Sequence, residues 1–343
     1  MNLEQLIRPN IRNLKPYASA RHEFSGNAHV FLDANENPFP TGYNRYPDPL
    51  QSKLKVELGK FRGIQTDQIF LGNGSDESID LLIRIFCEPG KDNIILLPPT
   101  YGMYKVCADI SNVEWREVLL SVDFQPRTDH ILNATDQTTK LLFMCSPNNP
   151  TGNLMRDEAI IDLLKRFPGI VVLDEAYIDF ASTDSWLKEL DNWPNLVILQ
   201  TFSKAWGSAG IRLGITYASK DIIALLSKVK PPYNVSQLTQ DKALSVLKAP
   251  EIMRDQVTAI LSERDKLVEG LSHIPCVDKI YSSEANFLLV KVKQARTLYN
   301  YLKSDGIIVR DRSGIYLCDE CLRITVGTPA ENEIVLEKLK QMA

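Results

Sequence analysis

Five short, almost wholly apolar runs constrain the fold of this chain more than any other feature. They are Ile94–Leu97, Leu141–Cys145, Ile170–Leu173, Leu196–Leu199 and Leu213–Tyr217. They are rich in Ile, Val and Leu and do not alternate with polar residues. Such runs suit strands buried on both faces. Some are separated by helical spacing, as in Ile160, Ile161, Leu164 and Phe167. Strand alternating with helix predicts an α/β fold with a mostly parallel sheet.

Helical spacing also precedes the runs. Leu50, Leu54, Leu58 and Phe61 share one face, and Gly63 supplies a C-terminal stop. Ile79, Leu82, Ile83 and Phe86 repeat the pattern after the acidic first turn Ser75-Asp76-Glu77. Lys230-Pro231-Pro232-Tyr233-Asn234 then breaks the chain. Beyond it the spacing predicts a long helix over Pro250–Ser272, a strand over 286–292 and a helix over 295–304. Strands over 307–309 and 322–326 and a helix over 330–342 complete a compact α+β unit. A length of 343 residues suits two domains, since single cores rarely exceed roughly 250–300 residues. The expected division is an N-terminal segment (1–30) packing on the small domain or a partner subunit, a large domain (31–235) and a small domain (236–343).

With 39 basic and 43 acidic residues the chain carries a net charge of −4 and no basic block. That argues against nucleic acid or an anionic membrane as partner. No apolar stretch approaches the roughly 18 residues of a membrane helix, and the N-terminus shows no secretory signal. Six cysteines are too sparse for a disulfide scaffold, so a cytoplasmic protein is expected. One CxxC, Cys318–Cys321, is a weak zinc signal, and no metal is expected.

In open α/β sheets ligands sit beyond the carboxyl ends of the strands. Leu141–Cys145 is followed by Ser146-Pro147-Asn148-Asn149-Pro150-Thr151-Gly152, and Ile170–Leu173 by Asp174-Glu175-Ala176-Tyr177. Leu196–Leu199 is followed by Gln200-Thr201-Phe202-Ser203-Lys204, while Gly72-Asn73-Gly74-Ser75-Asp76 opens the helix at Ile79. Singly these have ordinary readings: Asp174 as a cap, Lys204 as a surface lysine, the glycines as a loop. Jointly they are the groups that pyridoxal 5′-phosphate needs. Lys204 offers the amine for its aldehyde, and Asp174 a buried carboxylate for its protonated ring nitrogen. Asn149 and Tyr177 suit the 3-oxygen, and Tyr101 offers a stacking face. The phosphate would take backbone N–H groups of Gly74, Ser75 and Asp76, the Ser203 hydroxyl and Arg212. The carboxylates of Asp76 and Glu77 must then turn away from it.

In their order and spacing, NPTG, D-E-A-Y and S-K-A-W-G-S-A-G-I-R-L-G resemble the fold type I aminotransferases of the aspartate aminotransferase superfamily. Within it the chain is similar to the histidinol-phosphate aminotransferase family. That likeness rests on residues 8–17, 32–38, 44–48, 99–104, 306–311 and 321–328. The resemblance implies a seven-stranded, mostly parallel sheet with a smaller α+β C-terminal domain, and a homodimer. It implies the roles just given for Lys204, Asp174, Tyr177, Asn149, Tyr101, Ser203 and Arg212. It adds Tyr46 toward the cofactor phosphate of the other subunit, and Tyr17, Asn35, Arg310 and Arg323 around the substrate. The implied reaction is amino transfer between L-histidinol phosphate and 2-oxoglutarate in histidine biosynthesis.

The arginines also make independent sense, because a guanidinium fork pairs with either phosphate or carboxylate. Arg323 lies inside an apolar strand pattern, where an unpaired charge is costly. Three rivals stand beside this reading. An aromatic aminotransferase would prefer phenylalanine. A threonine-phosphate decarboxylase-like lyase would release carbon dioxide without a keto acceptor. A non-catalytic sensor domain would carry a DNA-binding extension.

Overall fold

The computed structural model describes residues 3–16 and 29–341. Its larger sheet has seven strands: β1 (Ile69–Asn73), β2 (Asn93–Leu96), β3 (Glu114–Glu117), β4 (Thr139–Cys145), β5 (Ile170–Asp174), β6 (Leu196–Thr201) and β7 (Leu213–Ala218). Their spatial order is β1-β7-β6-β5-β4-β2-β3. Only β7 runs against its neighbours; the other pairings from β6 to β3 are parallel. All five apolar runs are strands of this sheet, and β4 to β7 are buried almost throughout. Helices cover both faces, leaving two apolar layers. One contains Leu142, Leu173 and Ile198, and the other Phe143, Val172 and Leu199. Alternate residues of one strand thus feed opposite cores.

The strands that the apolar runs did not reveal are short or lie at edges. β3 reads Glu-Trp-Arg-Glu and is an edge strand with both ends exposed. β1 contributes only three apolar residues, Ile69–Leu71, before Gly72. The helices Lys220–Val229 and Gln237–Leu247 were likewise not expected.

A second, antiparallel sheet has the order β10-β11-β9-β8, from β8 (Val277–Ile280), β9 (Phe287–Val292), β10 (Arg310–Asp311) and β11 (Cys321–Thr325). The strand expected at 307–309 is displaced: pairing begins at Arg310, opposite Arg323 on β11. Ile308 is largely exposed, so that apolar triplet does not form a ladder. The long helix spans Pro250–Ser272 as its spacing predicts. Its first half packs Met253 and Val257 into the larger sheet's core, and from Leu267 onward it serves the second core.

The described N-terminal residues, expected on the small domain or a partner subunit, pack in this chain against the large sheet's helical layer. Ile7 and Ile11 join the core containing Ile85, Phe86 and Leu226. Arg8 pairs with Glu88 at 3.0 Å. Among the described residues no helix is long and apolar enough to cross a membrane.

Candidate active site

A cavity of about 530 Å³ opens at the carboxyl ends of the central strands, beneath the second sheet. That volume is ordinary for a small-molecule site. Asp174, the last residue of β5, stands at its base and is 3% exposed. Its Oδ2 accepts the Tyr104 hydroxyl at 2.6 Å and its Oδ1 the Ala176 N–H at 3.1 Å. Burial pushes its pKa up to about 6, against the pull of these two donors. Among the described residues no cation pairs with it, and a buried carboxylate held by neutral donors is suited to a ligand cation.

Lys204 follows β6, half-buried, with Nζ 5.5 Å from the centre of the Tyr177 ring. Burial lowers its pKa first, and the nearby charges of Arg323 and Arg212 lower it further. Its amine therefore sheds a proton more readily than an ordinary lysine. Asn149 Nδ2 donates to the Tyr177 hydroxyl at 3.3 Å, while Arg323 donates to Asn149 Oδ1. One amide thus ties a tyrosine of the large domain to an arginine of the small one.

The opposite end of the cavity is built for an anion. Gly74 caps the 12-residue helix Ser75–Phe86 with φ +76°. Its own N–H donates to the Arg212 carbonyl at 2.8 Å, which fixes the helix start beside β7. A Cβ on Gly74 would meet Arg212 Nη2 at 2.8 Å, and one on Gly214 would meet the Ser75 nitrogen at 2.2 Å. These glycines therefore allow close packing around a helix start whose first N–H groups lack intrahelical partners. Arg212 Nη1 donates to Ser203 Oγ at 3.5 Å and to the Ala209 carbonyl at 3.2 Å. Both acidic side chains of this turn have hydrogen-bond partners, but Asp76 is not turned away from the anion end, since its Oδ2 lies 3.9 Å from Arg212 Nη2. Asp76 accepts the Tyr101 hydroxyl at 3.1 Å, and Glu77 accepts the Asn73 N–H and the Asn234 amide.

The third wall comes from the second sheet. Arg310, Arg312 and Arg323 all line the cavity. Arg310 and Arg323 are cross-strand partners, and Arg312 is two residues beyond Arg310. Residues so related lie on one face of a sheet. Among the described residues none of the three has a carboxylate within salt-bridge distance.

The structure thus brings together Lys204, Asp174, Tyr177, Asn149, Tyr101, Ser75, Asp76, Ser203, Arg212, Arg310 and Arg323. Tyr46 and Asn35 line a different cavity of about 500 Å³, where Tyr46 stacks on Tyr233 at 4.4 Å. Tyr17 lies outside the described residues. Sequence reasoning missed Tyr104 and Arg312. Tyr104 stands three residues after Tyr101, in the first turn of the helix Met103–Ile110. Arg312 stands two residues after Arg310, a spacing that puts both on one face of a strand.

The donor set fits pyridoxal phosphate. A buried carboxylate held by neutral donors sits at one end, an amine of lowered pKa lies between, and a helix start with a hydroxyl and a guanidinium forms the other end.

The model of the aminotransferase class I and II family matches residues 30–339. The chain is 54% identical to the histidinol-phosphate aminotransferase of Parabacteroides distasonis, covering 99% of each. It is 53% identical to that of Flavobacterium johnsoniae, covering 99% of this chain and 98% of the relative. The fold is also similar to the crystal structure of histidinol-phosphate aminotransferase from Sinorhizobium meliloti in complex with pyridoxal-5′-phosphate. There the TM-score is 0.81, with 23% identity over 90% of each chain.

Proposed function

The chain belongs to the aminotransferase class I and II family, and from that premise we infer that it moves an amino group between L-histidinol phosphate and 2-oxoglutarate. The products are imidazole acetol phosphate and L-glutamate, a step of histidine biosynthesis. The cofactor is pyridoxal 5′-phosphate. The observation that carries the substrate reading is the wall of three guanidiniums that line the cavity with Lys204 and have no carboxylate partner among the described residues. One donor carries a phosphate and no carboxylate, while the acceptor carries two carboxylates. Arginine forks receive either group in turn.

When bound, the cofactor supplies an aldehyde that condenses with an amine and a ring that takes up the electron pair left by a departing α-proton. Asp174 holds a proton on the ring nitrogen, and Tyr104 and the Ala176 N–H keep that carboxylate oriented. Tyr177 and Asn149 hold the 3-oxygen, and Tyr101 gives the ring a face. The N–H groups of Ser75 and Asp76, the Ser203 hydroxyl and Arg212 hold the phosphate. Lys204 provides the amine. Its lowered pKa lets the released Nζ take the proton from Cα of the donor and return one to Cα of the keto acid in the second half. Arg323 and Arg310 bind the substrate anion, and the Arg323–Asn149 contact links that binding to the 3-oxygen partners.

A homodimer agrees with the second cavity, where Tyr43, Tyr46 and Leu238 are exposed among its lining residues. Exposed apolar groups in one patch mark an association surface. In that dimer Tyr46 reaches the partner's cofactor phosphate, and Asn35 completes the substrate side. The six thiols are unpaired, which suits the cytoplasm.

A coupled assay on purified protein with pyridoxal phosphate, histidinol phosphate and 2-oxoglutarate tests the reading. Glutamate should form in step with the keto phosphate. Carbon dioxide release without an acceptor would identify a lyase instead, and a preference for phenylalanine an aromatic aminotransferase.

A further inference from the structure

Two of the three arginines on the small-domain wall have a buried nitrogen with no hydrogen-bond partner: Nε of Arg323 and Nε of Arg312. Arg323 has a partner for another of its nitrogens in Asn149, and its guanidinium lies 5.3 Å from the Phe287 ring centre. Among the described residues, no side-chain hydrogen bond and no carboxylate engages Arg312. Its backbone is nonetheless fixed, since its N–H donates to the Cys321 carbonyl at 2.9 Å, just beyond the Arg310–Arg323 pairing. The intervening Asp311 is already committed: its carboxylate accepts Arg296 at 2.7 Å and the Ser313 N–H at 2.9 Å. It therefore does not neutralise the arginines on either side of it.

Holding Arg312 there is costly. Burial and the adjacent charges of Arg323 and Arg310 bring its pKa down to about 10. A guanidinium that is half-buried, beside two others and without a counterion among the described residues, is stabilised by an anionic ligand. The two substrates differ in how they present negative charge. The dicarboxylate spreads one charge over each of two separate groups. A phosphate monoester concentrates about −1.5 to −2 on a single group with three acceptor oxygens. Two forks saturate a carboxylate, whereas a phosphate dianion has oxygens left for a third.

We propose that Arg312 is a specificity-determining residue that completes, with Arg310 and Arg323, a three-guanidinium clamp for the phosphate monoester of the amino donor. The inference rests on the reaction given under the proposed function and deepens it. Arg323 serves both substrates, whereas Arg312 gives the phosphorylated donor its advantage.

The test compares the holoenzyme with R312Q and R312K, using histidinol phosphate, histidinol and glutamate as donors. R312Q should lose about 10- to 100-fold in kcat/KM with histidinol phosphate, mostly through KM, and less than about threefold with histidinol. R312K, with a charge but no fork, should lose less in the same donor-selective manner. Inorganic phosphate should compete with histidinol phosphate more weakly in R312Q than in wild type. Equal losses with histidinol and histidinol phosphate in both variants, or no loss in either, would overturn the clamp while leaving the transamination reading intact. A wild-type holoenzyme that does not turn over histidinol phosphate with 2-oxoglutarate would overturn both.

Discussion

The two walls of the cavity hold charge in opposite ways. On the large-domain wall the acidic groups are engaged within the chain: Asp174 by Tyr104 and the Ala176 N–H, Asp76 by Tyr101. Arg212 there is braced by Ser203 and the Ala209 carbonyl. On the small-domain wall Arg310, Arg312 and Arg323 face the cavity without carboxylate partners among the described residues, and two of their nitrogens are buried and unsatisfied. The difference matches the residence of the ligands we assign to each wall. A cofactor that stays bound is served by groups already locked in place, because orientation fixed in advance costs nothing at each turnover. Substrates that exchange twice per cycle are served by groups whose partners arrive with them.

The largest effect should come from Lys204, which stands between the walls. Lys204→Ala should lower turnover by at least about 10⁴-fold without unfolding the chain. Borohydride treatment of the wild-type holoenzyme should leave the cofactor on Lys204 alone by peptide mapping. A label on another lysine would show that the walls were assembled around the wrong residue.

Asp174→Asn should lower turnover by about 10³-fold, equivalent to about 4 kcal/mol of lost charge stabilisation. It should also have an opposite effect on the cofactor-free chain. The folded pKa of Asp174, about 6, lies above its ordinary 3.8. The native chain thus binds that proton more tightly than the unfolded chain does. Stability of the cofactor-free chain therefore falls as pH rises from about 4 to 6. The asparagine removes this penalty, so the cofactor-free variant should melt a few degrees above cofactor-free wild type at pH 7. A lower melting temperature would mean that Asp174 is a structural cap.

On the other wall, Arg323→Ala should cost about 30- to 1000-fold in kcat/KM with histidinol phosphate, and should weaken glutamate as well. Arg310→Ala, at an exposed position, should cost less with both. Activity unchanged in Arg323→Ala would end the contrast, since its guanidinium would then be structural.

The smallest effect belongs to Tyr104→Phe. It keeps the ring stacked on Phe143 at 4.9 Å and removes one hydrogen bond to Asp174. Turnover should fall about three- to tenfold. In the cofactor-free chain the Asp174 pKa should rise above about 6, because the lost donor favoured the carboxylate. The midpoint of the stability–pH curve reports that shift.

The legibility of these parts in the amino-acid order follows from how local their causes are. A strand buried on both faces must be apolar at every position, so the five runs read as strands without reference to the rest of the chain. The groups that follow them had to lie at one sheet edge, because parallel strands end on the same side. That placed Lys204, Asp174, Asn149, Tyr177 and Ser203 together before any coordinate. Edge strands such as Glu114–Glu117 leave no such trace, because one side of the ladder meets solvent and polar residues are tolerated. The partner of Asp174 was equally hidden. Tyr104 and Asp174 are 70 residues apart, and nothing in Pro99–Tyr104 says which of its two tyrosines points inward. The small-domain wall depended on register. Pairing Arg310 with Arg323 aligns Arg312 with them, whereas a shift of one residue would turn Asp311 inward instead. The sequence by itself therefore determined the five apolar strands of the larger sheet, the cofactor chemistry and the family. Only the tertiary structure decided which hydroxyl braces the buried carboxylate and how many guanidiniums face the substrate. Those depend on distances between elements that no local pattern records.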